Sequence, residues 1–475
     1  MLPDSAPEIK TIHLIGICGT AMASLAGMLQ TRGFEVTGSD QNIYPPMSTF
    51  LENRGVRLSP GFSERHLDPR PDLVVVGNAI SRGNPEVEFS LNWKIRYASM
   101  AEVLREFFIR GKQSLVVAGT HGKTTTTSLL AWLLECGGMD PSFLVGGIAE
   151  NFGSSFKLGS GSLFVIEGDE YDTAFFDKGP KFLHYLPDWV IFNNCEFDHA
   201  DIYSDLAAVQ LSFSRLVNII PSHGRLFAGW DDPVVRELSA RAFCRVQSFG
   251  LEDGAQWTAR SIEIRPEVMR FEIWREGAFW ERFETRLAGT FNVKNVLGAI
   301  ACAQELGVET KILQEALRDF RNVKRRLEVR GVVNGITVFD DFAHHPTAIR
   351  ETLVAVKARY PNNRLWAIFE PRSATSRRNV FQKEFANSLS PANQVILCSP
   401  FAAEKLDASV RLDVAQIVSD LKQQGVSASW WHSADTIVAG VAPLLEQGDM
   451  VVIMSNGGFD GIHGKMLEAL RQRYS

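Results

Sequence analysis

The stretch Val116–Thr127, VVAGTHGKTTTT, constrains the fold more than any other part of this chain. The apolar run Ser114–Ala118 reads as a buried strand. It passes into Gly119-Thr120-His121-Gly122-Lys123-Thr124-Thr125, and from Ser128 to Glu135 the apolar spacing is helical. A strand handed to a helix through such a turn is the phosphate-binding element of α/β proteins. Glycines let successive N–H groups face one concavity, at a helix N-terminus whose dipole favours anions. The spacing between the glycines is two residues shorter than in the common G-x-x-x-x-G-K form. Lys123 is placed for the β- and γ-phosphates and the Thr124 hydroxyl for Mg²⁺, so ATP with Mg²⁺ is the expected ligand. The plainer alternative is a Gly-Lys turn that binds nothing.

A phosphate loop does not name a reaction, and composition narrows the choice. At about 150 residues per domain, 475 residues hold about three domains. A formal net charge of −6 leaves no broad basic field for nucleic acid or an anionic membrane surface. The six cysteines are far apart with no C-x-x-C, which suits reduced thiols. No apolar run approaches the ~20 residues of a membrane span. The start, MLPDSAPEIKTIHLIGICG, lacks a signal-peptide pattern. The expectation is a cytoplasmic enzyme with neither nucleic acid nor membrane as partner.

Upstream of the phosphate loop, strand Thr11–Ile15 leads to the turn Gly16-Ile17-Cys18-Gly19, with Thr20 after it and a small-residue helix from Ala21 to Gln30. A second strand from Glu35 ends in Gly38-Ser39-Asp40. This is the dinucleotide-type βαβ pattern, with an acid about 20 residues past the turn, where it meets a ribose hydroxyl. Cys18 replaces the middle glycine. A diphosphate ligand is the preferred reading, and a βαβ unit without ligand the alternative. A further strand, Asp72–Gly77, runs into Asn78, so a small parallel sheet is expected through about Ile109.

Two strands downstream of the loop deliver polar clusters at their C-terminal ends, where open α/β sheets bind ligands. Leu163–Ile166 ends at Glu167-Gly168-Asp169-Glu170-Tyr171-Asp172, and Trp189–Phe192 at Asn193-Asn194-Cys195-Glu196-Phe197-Asp198-His199. Carboxylates suit Mg²⁺, and a histidine can join such a shell; solvated acidic loop tips are the competing account. Residues 220–290 are β-like and look peripheral. Helices are expected over Asn292–Leu306 and Lys311–Phe320. A third α/β domain follows, with strands Gly335–Phe339, Leu365–Phe369, Gln394–Cys398 and Met450–Met454. The fold class is therefore α/β in three domains: a Rossmann-like domain over 1–110, a central P-loop ATPase domain over 111–322, and a Rossmann-like domain over 323–475.

Taken together, GTHGKTTTT (119–127), EGDEYD (167–172), NNCEFDHAD (193–201), GTFNVKN (289–295), VKRRLE (323–328) and DDFAHHPT (340–347) resemble the Mur ligase family, the ATP-dependent amide-forming enzymes of peptidoglycan synthesis. The resemblance covers nearly the whole chain. Within the family it points to the branch whose substrate is UDP-N-acetylmuramate. EYDTAFFDK (170–178), FDHADIY (197–203), YPPMST (44–49), EPRSATS (370–376) and MSNGGFDGIH (454–463) look like the member that adds a recycled tripeptide, L-alanyl-γ-D-glutamyl-meso-diaminopimelate. The member that adds L-alanine is the nearest alternative.

The resemblance implies transfer of the γ-phosphoryl group to the lactyl carboxylate, then attack by the peptide amine. Lys123 would neutralise the γ-phosphate together with Mg²⁺ on Thr124 and Glu167. His199 would hold a second Mg²⁺, and Glu170 and Asn194 would order the shell or the substrate. Asn292 is implied for the adenine edge, Arg326 for the ATP phosphates and Asp341 for the ATP ribose. Gly16, Ile17, Cys18, Gly19, Thr20, Ser39, Asp40 and Asn78 would line the UDP-sugar site. A peptide rich in carboxylates should meet arginines, and Arg372, Arg377 and Arg378, with Asn456, are candidates; a solvated basic turn competes. His344 and His345 are adjacent and point differently, which favours a structural or nucleotide-adjacent role over a metal pair. Many members carry a carbamylated lysine after the histidine; no lysine stands between Lys181 and Lys294 here. Outside ligases, a P-loop kinase shares the phosphate loop but leaves the flanking domains unexplained.

Overall fold

Short apolar runs broken by glycine turns, with helical patterns between them, build the parallel centres of the sheets in this chain, with antiparallel strands at their edges. The computed structural model describes residues 8–44 and 47–474, so Pro45 and Pro46 of the YPPMST stretch lie outside the described residues. The fold is three-domain α/β. Its contacts group into two units: Met1–Cys195 with Gln210–Ser248 and Gly298–Leu313, and Glu196–Val209 with Phe249–Leu297 and Gln314–Ser475.

In the first unit, β1 (Thr11–Ile15), β2 (Glu35–Asp40), β3 (Arg57–Pro60), β4 (Leu73–Val76) and β5 (Tyr97–Ser99) form a parallel sheet in the order β3-β2-β1-β4-β5. The order reverses between β1 and β4, which opens a crevice at their C-terminal ends. Leu14, Ile15, Val74 and Val75 are all buried, as strands covered on both faces require. A second set of strands comprises β6 (Gln113–Ala118), β7 (Ser142–Ala149), β8 (Ser154–Lys157), β9 (Leu163–Gly168), then β12 (Trp189–Phe192) and β13 (Arg225–Gly229). Strand β6 lies between β9 and β12, with Val117 beside Glu167 and Ala118 beside Phe192. The hairpin β10 (Asp172–Ala174) and β11 (Asp177–Pro180) reaches back to the N-terminal sheet. Phe175 packs against the cluster of Ile15, Val74, Val76 and Ile80, and the Phe176 ring meets Tyr97 edge-on at 5.1 Å. The hydroxyls of Ser24 and Ser155 add a 2.7 Å bond.

The helix after the phosphate loop runs Lys123–Cys136, five residues earlier than its apolar spacing predicts. Four consecutive threonines have weak helix propensity and hide the first turn. Burial overrides propensity: Thr124 to Thr127 are all buried, and the Thr127 hydroxyl donates to the Lys123 carbonyl at 2.8 Å.

Strand β14 (Arg245–Gly250) pairs in parallel with β15 (Trp257–Ile264) through Phe249 and Gly250, where the second unit resumes, and β16 (Met269–Arg275) and β17 (Ala278–Thr285) continue antiparallel. The C-terminal sheet has the order β18-β19-β23-β20-β21-β22. Its strands are β18 (Glu328–Val333), β19 (Ile336–Asp341), β20 (Leu365–Phe369), β21 (Gln394–Cys398), β22 (Ser427–Trp431) and β23 (Met450–Met454). All pair in parallel except β18, an antiparallel edge. Gly335, expected to open a strand, sits at φ 75° in the turn between β18 and β19. Separate apolar clusters cover the two faces of this sheet. Among the described residues no helix is long and apolar enough to cross a membrane.

Candidate active site

The phosphate loop sits at the C-terminal end of β6, which lies between β9 and β12. Gly119 (φ 128°) and Gly122 (φ 81°) take backbone conformations that L side chains rarely adopt. Asn194 clamps the loop from β12. Its backbone carbonyl accepts from Thr120 N–H at 3.1 Å, its Oδ1 from His121 N–H at 2.8 Å, and its Nδ2 donates to the His121 carbonyl at 3.3 Å. Asn193, not singled out by its sequence, donates to Thr126 Oγ1 at 3.2 Å. No side chain caps the helix at Gly122.

Lys123 begins that helix, and its ammonium folds over the loop. Nζ donates to the Gly119 carbonyl at 2.7 Å and to both Glu170 oxygens at 3.0 and 2.7 Å. The Glu170 side chain is 1% exposed. Burial works against the ammonium, but Glu170, Asp169 and Glu167 together hold its pKa above the ordinary lysine value. Glu170 thus fixes Lys123 at the loop. Glu167, at the end of β9, accepts from the Gly146 N–H at 2.7 Å and from the Thr124 hydroxyl at 3.3 Å. A carboxylate and a hydroxyl side by side at a phosphate loop are the hard oxygen donors that Mg²⁺ selects. Thr125 is buried one position along.

In the N-terminal sheet, Ser39 organises the glycine turn. Its carbonyl accepts from the N–H groups of Gly16 and Ile17 at 2.8 and 3.1 Å, and Cys18 N–H donates to Asp40 Oδ2 at 2.9 Å. Those three amides are therefore committed inside the turn. What remains for an anion is the start of the helix Thr20–Thr31, which Gly19 leaves without a side-chain cap. Burial, Asp40 and Glu52 push the Cys18 thiol up to about 11, so it stays protonated. Asn78 is half-buried just past the end of β4.

Glu86, which sequence reasoning missed, lies beneath this cradle. It is fully buried at the start of the helix Pro85–Asn92. One oxygen accepts from the Ser39 hydroxyl at 2.5 Å and lies 3.4 Å from His13 Nε2. The other accepts from Ser63 N–H at 3.1 Å and meets His66 Nδ1 at 2.7 Å. Burial raises the carboxyl pKa, but His13, Ser39 and Ser63 outweigh it and leave Glu86 below its ordinary value. Asn84 caps the helix that carries it, accepting from the Glu86 and Val87 N–H groups at 3.0 and 3.3 Å. Glu86→Ala is expected to cost about 3–5 kcal/mol of stability, because its partners are left buried and unpaired. Denaturant unfolding checks this; a loss below about 1 kcal/mol would remove the hub role.

The remaining candidates lie in the second unit. His199 is half-buried at φ 55°, strained for a non-glycine residue. Its N–H donates to Asp198 at 2.6 Å. Burial opposes ionisation of Asp198, but His199, His344 and His345 hold its pKa well below the carboxylate range. His345 caps the helix Pro346–Arg359: its Nδ1 accepts from Thr347 N–H at 3.2 Å, so Nε2 carries the proton and donates to the Phe197 carbonyl at 3.1 Å. With Thr347 on Glu196 (2.6 Å) and the Ala200 N–H on Thr375 Oγ1 (3.1 Å), this holds the His199 segment. His345 thus caps a helix and ties it to the His199 segment, and the His344 ring meets Phe342 edge-on at 5.7 Å.

Asn292 is buried at the start of the helix Thr290–Glu305, where its amide donates to the Ala288 carbonyl at 2.7 Å and accepts from Asn295 at 3.0 Å. The carboxylate of Asp341 receives the N–H groups of Leu327 and Ala343 at 2.7 and 2.8 Å; burial raises its pKa against the pull of Arg326. Arg326 lies over the Phe342 ring at 5.2 Å. Arg372 stacks on Phe401 at 3.7 Å and lies 3.6 Å from Glu370; Arg377 donates to the Phe401 carbonyl at 3.1 Å. The Oδ1 of Asn456 is buried without a partner.

A phosphate loop with a lysine locked to a buried glutamate, preceded by a dinucleotide-type sheet, defines a nucleotide-dependent enzyme. Family models locate it: the Mur ligase family catalytic domain matches residues 11–111, the Mur ligase middle domain 117–303, and the Mur ligase glutamate ligase domain 325–457. The chain is 43% identical over 463 residues to the Escherichia coli (strain K12) UDP-N-acetylmuramate–L-alanyl-γ-D-glutamyl-meso-2,6-diaminoheptandioate ligase, covering 97% of this chain and 98% of that protein. To the Clostridium acetobutylicum UDP-N-acetylmuramate–L-alanine ligase it is 33% identical, covering 94% and 95%. The crystal structure of a murein peptide ligase from Psychrobacter arcticus superposes with a TM-score of 0.73 at 38% identity, covering 97% and 98%. This chain belongs to the Mur ligase family and is an ATP-dependent ligase.

Proposed function

We propose that this enzyme joins UDP-N-acetylmuramate to L-alanyl-γ-D-glutamyl-meso-diaminopimelate, with ATP converted to ADP and phosphate, in peptidoglycan recycling. The observation that carries the chemistry is the cradle of Lys123, Thr124, Glu167 and Glu170 at the phosphate loop. The choice of amine rests on the 43% identity to the tripeptide-adding relative against 33% to the alanine-adding one.

A carboxylate is a poor electrophile at neutral pH. Transfer of the γ-phosphoryl forms a bond from the lactyl carboxylate oxygen to phosphorus and breaks the β–γ bridge, releasing ADP. The peptide amine then bonds to the acyl carbon, gives up a proton, and phosphate leaves from the tetrahedral intermediate. Such transfer needs positioning and charge neutralisation above all. Lys123 supplies a fixed cation, and the amides of the first turn of its helix, which Asn194 does not engage, supply donors. Thr124 and Glu167 would hold Mg²⁺, which when bound offsets phosphate charge. In the second unit, we assign His199 as a further metal ligand and Asn292, Arg326 and Asp341 to ATP. The cradle of Ser39, Asp40, Asn78 and the helix start at Thr20 is assigned to the UDP-sugar.

The test is phosphate release together with mass detection of amide product, using UDP-N-acetylmuramate with tripeptide or L-alanine. The tripeptide is expected to exceed L-alanine in kcat/KM by roughly 100-fold or more. The reverse order would make this an alanine ligase, and a stable phosphorylated product without amide would make it a kinase.

A further inference from the structure

Arg378 and Arg411 form an isolated antiparallel bridge between the loop after β20 and the segment before the helix Val414–Gln423. The Leu412 N–H donates to the Arg377 carbonyl at 2.9 Å. A bond between the flanking residues marks Arg378 and Arg411 as the non-hydrogen-bonded kind of pair, with Cα atoms about 4.5 Å apart and side chains at their closest. The junction is fastened further along. Asn379 donates to the Ser409 carbonyl at 3.0 Å, and Gln382 exchanges bonds with the Asp413 backbone at 2.8 and 2.9 Å. The backbone therefore holds two guanidinium stems side by side.

Like charges directly opposite on a ladder destabilise it. The ordinary relief is a carboxylate, yet neither arginine is ion-paired among the described residues. The Nε atoms of both are buried without a hydrogen-bond partner, and Arg411 places one Nη on the Leu406 carbonyl at 2.8 Å. Asp407 feels the Arg411 charge, but its Oδ1 is taken by the N–H and hydroxyl of Ser409 at 2.8 and 2.7 Å. The other arginines nearby are engaged: Arg372 lies 3.6 Å from Glu370, and Arg377, alternating to the opposite side of extended backbone, is bonded to Phe401.

We propose that Arg378 and Arg411 together form a subsite for a carboxylate of the incoming peptide. The inference rests on the reading of the chain as a tripeptide ligase. Two guanidinium groups rooted on one backbone bridge offer forked donors to one carboxylate, and the anion relieves their mutual repulsion. A peptide and a free amino acid differ in the number and placement of carboxylates, so this pair would sort them.

The test uses the full-length enzyme and Arg411→Gln, Arg411→Lys and Arg378→Gln variants, with the tripeptide and its three mono-amides, each lacking one carboxylate. Arg411→Gln is expected to raise the tripeptide KM about 10- to 100-fold, with the KM values for ATP and UDP-N-acetylmuramate within about 3-fold of wild type. For one mono-amide, wild type and variant should converge. Arg411→Lys should fall between. Because a repulsive pair is relieved, the melting temperature of the ligand-free variant should not fall. If the tripeptide KM is unchanged, or rises equally for every mono-amide, or if melting drops and all three KM values move together, the subsite is overturned; Arg378→Gln decides the matter by the same criteria should Arg411→Gln fail to fold. A wild-type enzyme that makes no amide from the tripeptide would overturn the underlying reading, and the subsite with it.

Discussion

Lys123→Met is expected to lower turnover at least about 10³-fold while leaving UDP-sugar binding within a few-fold of wild type. The loss follows from removing the fixed cation at the point where phosphoryl charge develops. The geometry adds a second consequence. Glu170 is buried and both its oxygens face Lys123 Nζ. Without that partner, a buried carboxylate loses its counter-charge, which costs about 3–5 kcal/mol. The single variant should therefore melt at a lower temperature as well as turn over slowly. Adding Glu170→Gln should restore most of the stability, because a neutral amide tolerates burial better, but none of the turnover. Thermal melting, single-turnover phosphate release and calorimetric titration of the UDP-sugar separate these effects. Recovery of activity in the double variant would show that Lys123 acts only through the fold. Unchanged melting in the single variant would show that the pair does not hold the loop.

Much of this arrangement is legible in the sequence because strand ends and glycine turns are local signals. Trp189–Phe192, Leu365–Phe369, Gln394–Cys398 and Met450–Met454 lie where the apolar runs place them, since a strand buried on both faces leaves a continuous signature. The edge strand Glu328–Val333 leaves none: Val329 and Val332 are exposed, and Gly331 interrupts it. Site residues divide along the same line. Lys123 and Glu167 are visible because motif and strand end coincide. The hub role of Glu86 depends on four partners drawn from β1, β2 and the segment around Ser63 and His66, and such convergence has no local pattern. The arginines illustrate the converse. Sequence offers Arg372, Arg377 and Arg378 as equivalents, but Glu370 and the Phe401 carbonyl occupy the first two, while Arg411, 33 positions beyond Arg378, joins the third.

Gly119→Ala should disable the phosphate loop more thoroughly than its size suggests. A Cβ at this position would stand 2.9 Å from the Asn194 carbonyl oxygen, 3.0 Å from the Asn194 nitrogen and 3.2 Å from Asn193 Cβ. Two of the three are backbone atoms of the strand end that clamps the loop, so they cannot swing away as a flexible side chain would. The backbone also sits at φ 128°, where an L side chain is strained whatever the space. Together these should cost roughly 2–4 kcal/mol. Relief requires the loop to part from Asn194, which releases the Thr120 and His121 amides from their clamp and turns the phosphate donors aside. The kcat/KM for ATP should fall at least about 100-fold, because donors displaced by even an ångström lose their value in the transition state. Gly138→Ala is the matched control: φ is 74° but nothing lies within 4 Å of the added carbon. It carries the backbone strain alone, about 1 kcal/mol, with ATP use near wild type. Denaturant unfolding and ATP saturation curves of the two variants decide between the accounts. If both lose the same stability and keep the same ATP kinetics, the contact with Asn194 does not shape the loop, and the clamp from β12 has no part in binding phosphate.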